Sequence, residues 1–379
     1  MNKLGIAFVG VLVLFAVIIG RGIIREQTRD AGSDKPVVKI GAILPMTGNI
    51  GVFGQSYKNG LILAQKHLKK DTKYDYRLII EDSMGQARNV PLLARRLLDL
   101  NKVDAGLSMW TGDAMIVSPI FSQAKKVHIA SLSWFPDKFL KDKYNFHIYA
   151  NMQTEVDLLV GHILKKGYKN IAMVAQNIEG GLDGHRMIKE SFRKNNIKLC
   201  GEIISNPGTR DFRIDIMKVQ KACRPELYIF GALPPESDIF LKQLYEIAGK
   251  PVDITGLDLG MVFSSPALCE NHIFPMMALP SAEWLRDYEA VFGDDLYVYA
   301  SGVAYDSFNM LVDAYENAPT QGAIPSGDDI ADYIHAQKSF PSAFGGRISV
   351  QPNGQIDTPV DLLSVKDGQF VRVDTPKGL

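Results

Sequence analysis

Three stretches of this chain carry side chains whose types and placing suit a small polar ligand. Thr111, Gly112 and Asp113 stand between a strand candidate and a helix candidate. A hydroxyl and the first backbone N–H groups of a helix can hold a carboxylate there, and a threonine can equally serve only as the helix cap. Ser131 and Ser133 end the next strand candidate, where a plain turn, or packing for Ser131, is the alternative. Asp258, in the segment ITGLDLG, follows a short strand candidate and offers an anion to an ammonium group, or is a solvated loop residue. Phe53, Trp110 and Trp134 supply aromatic surface or ordinary packing.

Residues arranged for bond-breaking chemistry are missing. There is no G-x-x-x-x-G-K-[ST], no H-E-x-x-H and no G-x-S-x-G. Gly48, Gly51 and Gly54 follow a strand candidate at GxxGxxG spacing, which suits a turn better than a pyrophosphate loop. The seven histidines show no metal-ligand spacing, and the three cysteines form no CxxC pair. These patterns point to a non-enzymatic protein without metal or cofactor. Lys+Arg 42 balances Asp+Glu 42, which argues against nucleic acid. Hydrophobic residues at 46% and charged residues at 22% exclude a disordered chain, and 379 residues favour two domains.

The N-terminus sets the expected compartment. After Lys3, residues 4–20 (LGIAFVGVLVLFAVIIG) are apolar or glycine. At about 1.5 Å per residue they span roughly 25 Å, short for a bilayer helix. No Ala-x-Ala cleavage site and no following cysteine are present. The segment reads as an export signal, retained as a membrane anchor in preference to the alternative of being cleaved, and the polar residues 27–36 as a linker.

Short apolar runs then alternate with helical patterns. Strands are expected at 37–44, 77–81, 103–109 and 127–131. Helices fall at 55–70, after Asn89, and at 113–125. The rhythm restarts with helices at 153–166, 183–194, 211–222 and 235–248. The strands between them are 170–175, 197–204, 226–230 and 252–255. Such alternation means right-handed βαβ units and parallel sheets, here in two doubly wound series. Helices at 284–292, 298–317 and 328–337 follow. Strands at 347–350, 360–365 and 370–373 close the chain, with a turn at Asn353-Gly354. Cys200 and Cys223 fall where both reach one sheet edge, so an exported chain could bridge them, with Cys269 as a rival partner.

The segment VKIGAILPMTGNIGVFGQSYKNGLILA (38–64) resembles the opening of periplasmic type I solute-binding proteins of the Leu/Ile/Val group. Further matches keep the order: Glu81-Asp82, Thr111-Gly112-Asp113-Ala114, Ser131-Leu132-Ser133, Tyr305-Asp306, then Phe344-Gly345-Gly346 before Asn353-Gly354. The resemblance runs from Val37 to about Phe370. It implies two Rossmann-like α/β lobes joined by three crossovers, expected near Ala150, Pro280 and Pro341. Lobe 1 would be 37–149 with 281–341, and lobe 2 would be 150–280 with 342–379, after the signal and linker 1–36.

It also implies a periplasmic or extracytoplasmic protein that closes on an amino acid, or a related amide or acid, and delivers it to an ABC permease. The alternative is a membrane-tethered sensor or envelope interaction protein of the same fold. In the family the Thr111 position supplies a hydroxyl, the Ser131 and Ser133 positions offer hydroxyl and carbonyl oxygens, and an acid at the Asp258 position pairs with the α-ammonium. Two departures widen the ligand range. Gly181 stands where a tyrosine is frequent, and Leu233 where an aromatic is found. Both leave a roomier or more apolar second-lobe wall, which argues against leucine-like ligands and admits amides, aromatic acids or larger molecules.

Overall fold

A computed structural model of the protein describes residues 34–48, 50–133 and 142–373. The apolar stretch 4–20 and Trp134 lie outside the described residues. Among the described residues no helix is long and apolar enough to cross a membrane.

The first series is β1 (Val37–Leu44), α1 (Gly51–Lys66), β2 (Asp75–Asp82), α2 (Val90–Arg95), β3 (Ala105–Met109), α3 (Thr111–Gln123), β4 (Val127–Ser131) and β5 (Asn145–Ala150). β3 and β4 are buried at every position, as parallel strands covered on both faces must be. Their spatial order with β1 and β5 is β2-β1-β3-β4-β5, all parallel. The order reverses between β1 and β3, and ligands of open α/β sheets bind outside the carboxyl ends at such a point.

The second series is α4 (Met152–Lys166), β6 (Ile171–Gln176), α5 (Glu179–Lys194), β7 (Leu199–Ser205), α6 (Arg213–Cys223), β8 (Leu227–Gly231), α7 (Glu236–Ala248) and β9 (Asp253–Thr255). Asn151 caps α4 by accepting the Thr154 N–H at 3.1 Å. The strands form a separate parallel sheet, β7-β6-β8-β9. Phe240 on α7 fills its core, fully enclosed between Phe212, Tyr228 and Phe230 with ring centroids 5.2, 6.0 and 5.4 Å away.

The remainder is α8 (Leu259–Val262), β10 (Ile273–Met277), α9 (Ala282–Phe292), α10 (Val298–Asn317), α11 (Gly327–Gln337), β11 (Ser339–Pro341), β12 (Arg347–Val350), β13 (Gln355–Thr358), β14 (Val360–Lys366) and β15 (Gln369–Arg372). The long α10 carries the Tyr305-Asp306 pair, and the geometry gives the acid a role. Asp306 accepts from the Ser342 hydroxyl at 2.6 Å and from the Ala343 N–H at 2.7 Å, tying the segment before β12 to α10. Burial pushes its carboxyl up to about 7.

One expected boundary needs correction. The chain from 342 onward does not all join the second series. β13 lies parallel against β5, with Ile356 beside Ile148, and β12 and β11 extend that first sheet. Only β14 and β15 pair with β10, in an antiparallel sheet of three strands. The return from the first sheet therefore falls at Pro359 rather than Pro341. The cause is β5, whose polar Asn145 and His147 hide it from an apolar count although both are buried. β5 offers an open edge, and the hairpin at Asn353-Gly354 delivers β13 to it.

Cys200 on β7 and Cys223 at the end of α6 are bonded, with Cα atoms 6.0 Å apart. Cys269 is a buried free thiol, its ionisation suppressed by burial. Denatured, unreduced protein should show one free thiol per chain. Cys200→Ser should cost about 3 kcal/mol of stability in urea unfolding, the size expected for closing a loop of this length. Three free thiols in the denatured, unreduced protein would contradict the bond.

Candidate functional site

Met109 pairs with Ser131, so the carboxyl ends of β3 and β4 lie side by side. At the end of β3 the chain turns through Trp110, at φ +72° and ψ 142°. Such a backbone costs roughly 1–3 kcal/mol for a bulky residue and is characteristic of functional turns. The Trp110 N–H donates to the Ser131 carbonyl at 3.1 Å, and its own carbonyl accepts the first bond of α3 from Ala114 at 2.9 Å. The amides of the first turn of α3 have no acceptor within the helix, which makes this end attractive to an anion. Gly112 is exposed there, and a Cβ on it would meet nothing within 4 Å. Half-exposed Thr111 stands at the same place.

The neighbouring side chains turn inward. Asp113 is buried and hydrogen-bonded with Ser83, and desolvation raises its carboxyl above the ordinary range. The Ser131 hydroxyl is enclosed, 2.7 Å from the Tyr57 hydroxyl and 3.1 Å from that of Ser307. Burial pushes Tyr57 up to about 12. Ser133 is equally enclosed and donates to the Ser131 carbonyl at 3.0 Å. These three expected ligand contacts are thus engaged within the protein, while Gly112 is exposed at the start of α3. Gly54 explains the aromatic–glycine pair of the opening motif: a Cβ there would sit 2.2 Å from the Pro45 carbonyl, so only glycine lets α1 start against that turn.

Asp258 lies past β9, at φ +50° as the residue preceding α8. Its N–H donates to the Pro275 carbonyl of β10 at 3.1 Å. Its Oδ2 accepts from the Tyr149 hydroxyl at the end of β5, so this acid meets the end of the first sheet. The Met277 N–H and the Glu155 carboxyl also reach it. Desolvation raises its carboxyl, and these three bonds oppose the rise. Tyr299 at the start of α10 is fully buried, feels the charge of Asp258, and has a hydroxyl without a partner.

An aromatic surface continues from this point. Phe53 lies edge-on to Trp110 at 5.2 Å between centroids and tilts on Tyr297 at 4.1 Å. The Trp110 indole N–H is enclosed without a partner. Phe53, Trp110 and Asp258 were expected here, whereas Tyr149, Glu155, Tyr297 and Tyr299 were not. Tyr149 sits in the unannounced strand β5, and Glu155 in the first turn of α4 looks like a helix-dipole residue. The Tyr297-x-Tyr299 pair at the head of α10 was the one available signal.

Both departures in the second-lobe wall have a physical form. A side chain at Gly181 would begin 2.6 Å from the Gln176 carbonyl, so α5 approaches β6 too closely for a tyrosine. Leu233 is 47% exposed, an apolar group left open beside the end of β8. His128 is engaged within the core: it sits 2.9 Å from both Ser118 and Ser108 hydroxyls, and burial pushes it down to about 3. Among the described residues no group of three His, Cys, Asp or Glu side chains could hold a metal ion.

Comparison with known proteins bears on the fold and the family. A search of curated protein sequences returns no match. Among solved structures, a leucine binding protein of Thermotoga maritima superposes at TM-score 0.76 and 19% identity, over 89% of this chain and 98% of that one. A branched-chain amino acid substrate binding protein of Streptococcus pneumoniae in complex with isoleucine gives 0.72 and 17%, over 89% and 100%. A Rhodopseudomonas palustris solute binding protein in complex with 4-hydroxybenzoate gives 0.74 and 19%, over 89% and 96%. At these identities the likeness concerns the fold. The sequence model of the family described as periplasmic binding protein matches residues 37–369, and the chain belongs to that family.

Proposed function

We propose that this protein is an extracytoplasmic solute-binding component of an ABC importer, and that its ligand is an α-amino acid or a close relative. Two lobes are expected to close on it. One is 37–149 with 281–358 around the first sheet; the other is 150–280 with 360–373. The observation that carries the reading is Asp258, an acid of the second series lying against Tyr149 at the end of the first sheet. An α-ammonium would find its counter-charge there, and the carboxylate would find the start of α3 at Thr111 and Gly112. Membrane tethering by the segment 4–20 belongs to the same proposal.

A second reading takes an aromatic acid. It is favoured by the Phe53, Trp110 and Tyr297 surface and by the open Leu233. A thermal-shift screen of amino acids, their amides and benzoates separates the two, because a ligand that binds only the folded state raises Tm. Stabilisation by an amino acid is the expected result, and stabilisation by benzoates alone would overturn it. Thr111→Ala should weaken the amino acid found by about 1–3 kcal/mol in calorimetry, since one hydroxyl goes while backbone donors remain. Unchanged affinity would remove Thr111 from the site.

A further inference from the structure

Glu155 reaches Asp258 but has been given no part in holding a ligand, and its environment is unusual. It is 1% exposed, in the first turn of α4, immediately after the chain leaves the first sheet. Its carboxyl lies in hydrogen-bonding contact with that of Asp258. Glu155 Oε1 and Asp258 Oδ1 are shielded from solvent and reach no protein donor in ordinary hydrogen-bond geometry. The groups facing the pair are Tyr149 from β5, which donates to Asp258 Oδ2, the Met277 N–H from the end of β10, and Tyr299 from α10. Among the described residues no lysine or arginine acts on either carboxyl.

Two carboxylates cannot hydrogen-bond each other, because both are acceptors only. Contact between them in a desolvated place needs one proton, since two like charges there would repel at close range. We propose that Glu155 is held protonated and donates to Asp258, a positioning residue that fixes the Asp258 carboxylate and leaves the pair with one negative charge instead of two. Resting on the amino-acid reading above, this sets the class of ligand: a single ammonium neutralises the site, and a dication is left undercompensated. Burial raises the carboxyl of Glu155 well above its ordinary range, with the Asp258 charge as the next cause. The asymmetry fits a proton resident on Glu155.

The test needs no ligand. Glu155→Gln keeps a donor toward Asp258 and removes the titration. A carboxyl whose folded pKa is raised contributes stability that is full below the unfolded value and is lost as pH rises toward the folded value. The full chain should therefore lose Tm relative to Glu155→Gln as pH goes from 5 to 8. The expected divergence is about 3 °C or more. Asp306 titrates in both proteins and cancels in the difference. Infrared spectra of the ligand-free chain at pH 7 should show a protonated-carboxyl carbonyl band that Glu155→Gln removes. If that variant does not fold, Asp258→Asn should shift or abolish the same band. A Tm difference that does not change with pH, together with no such band, would overturn the shared proton. The amino-acid reading fails separately, in the ligand screen.

Discussion

Asp258→Ala is expected to weaken an ammonium-bearing ligand by about 2–5 kcal/mol, roughly 30- to 5,000-fold, the range for removing one partner of a hydrogen-bonded charge pair. An ammonium entering a closed site loses its hydration, and an anion must offset that loss. Asp258 is the acid that this fold brings to the end of the first sheet, through Tyr149. With alanine there, burial still opposes ionisation of Glu155, which makes it a poor substitute. Asp258→Asn should lose nearly as much, because the amide keeps the shape and drops the charge. The fold should survive both changes, since Asp258 stands in the loop before α8 and belongs to no apolar core cluster. Calorimetry with the amino acid from the screen is the measurement; unchanged affinity in both variants would mean that no ammonium is held here.

Phe240→Ala should carry the largest cost in stability, about 3–5 kcal/mol, with no direct effect on ligand contacts. The ring is wholly enclosed, and three aromatic neighbours stand around it. They cannot all collapse into the space it leaves, because β8 fixes Tyr228 and Phe230 while Phe212 is anchored at the head of α6. Urea unfolding of the variant should show a lower midpoint. A cost below about 1 kcal/mol would mean that the second sheet is not packed around this residue.

Much of this architecture is legible in the chain because parallel strands buried on both faces read as continuous apolar runs. β1 and β4 fall at their expected limits of 37–44 and 127–131, and α10 at 298–317. The strands that escape the sequence each have a local cause. β10 carries Pro275 at its centre, which argues against a strand, but it lies on a sheet edge where a missing N–H is tolerated. β5 hides behind Asn145 and His147, and with it go β13's partner, the position of the last crossing, and Tyr149.

The site is less legible than the fold. Strand ends and helix starts mark Thr111, Gly112 and Asp258 as available. Which hydroxyls are consumed internally depends on residues far away in sequence: Ser131 meets Tyr57 and Ser307, separations that no local pattern encodes. The pairing of Glu155 with Asp258 is of the same kind, because it exists only once α4 and the loop after β9 are folded together.

The most direct measurement is isothermal titration of the full chain with an α-amino acid and, in parallel, with its des-amino carboxylic acid, leucine and 4-methylpentanoate being the first pair. Saturable heat is expected from an amino acid and none from the acid that lacks the ammonium. Equal binding of both, or binding of the acid alone, would contradict it.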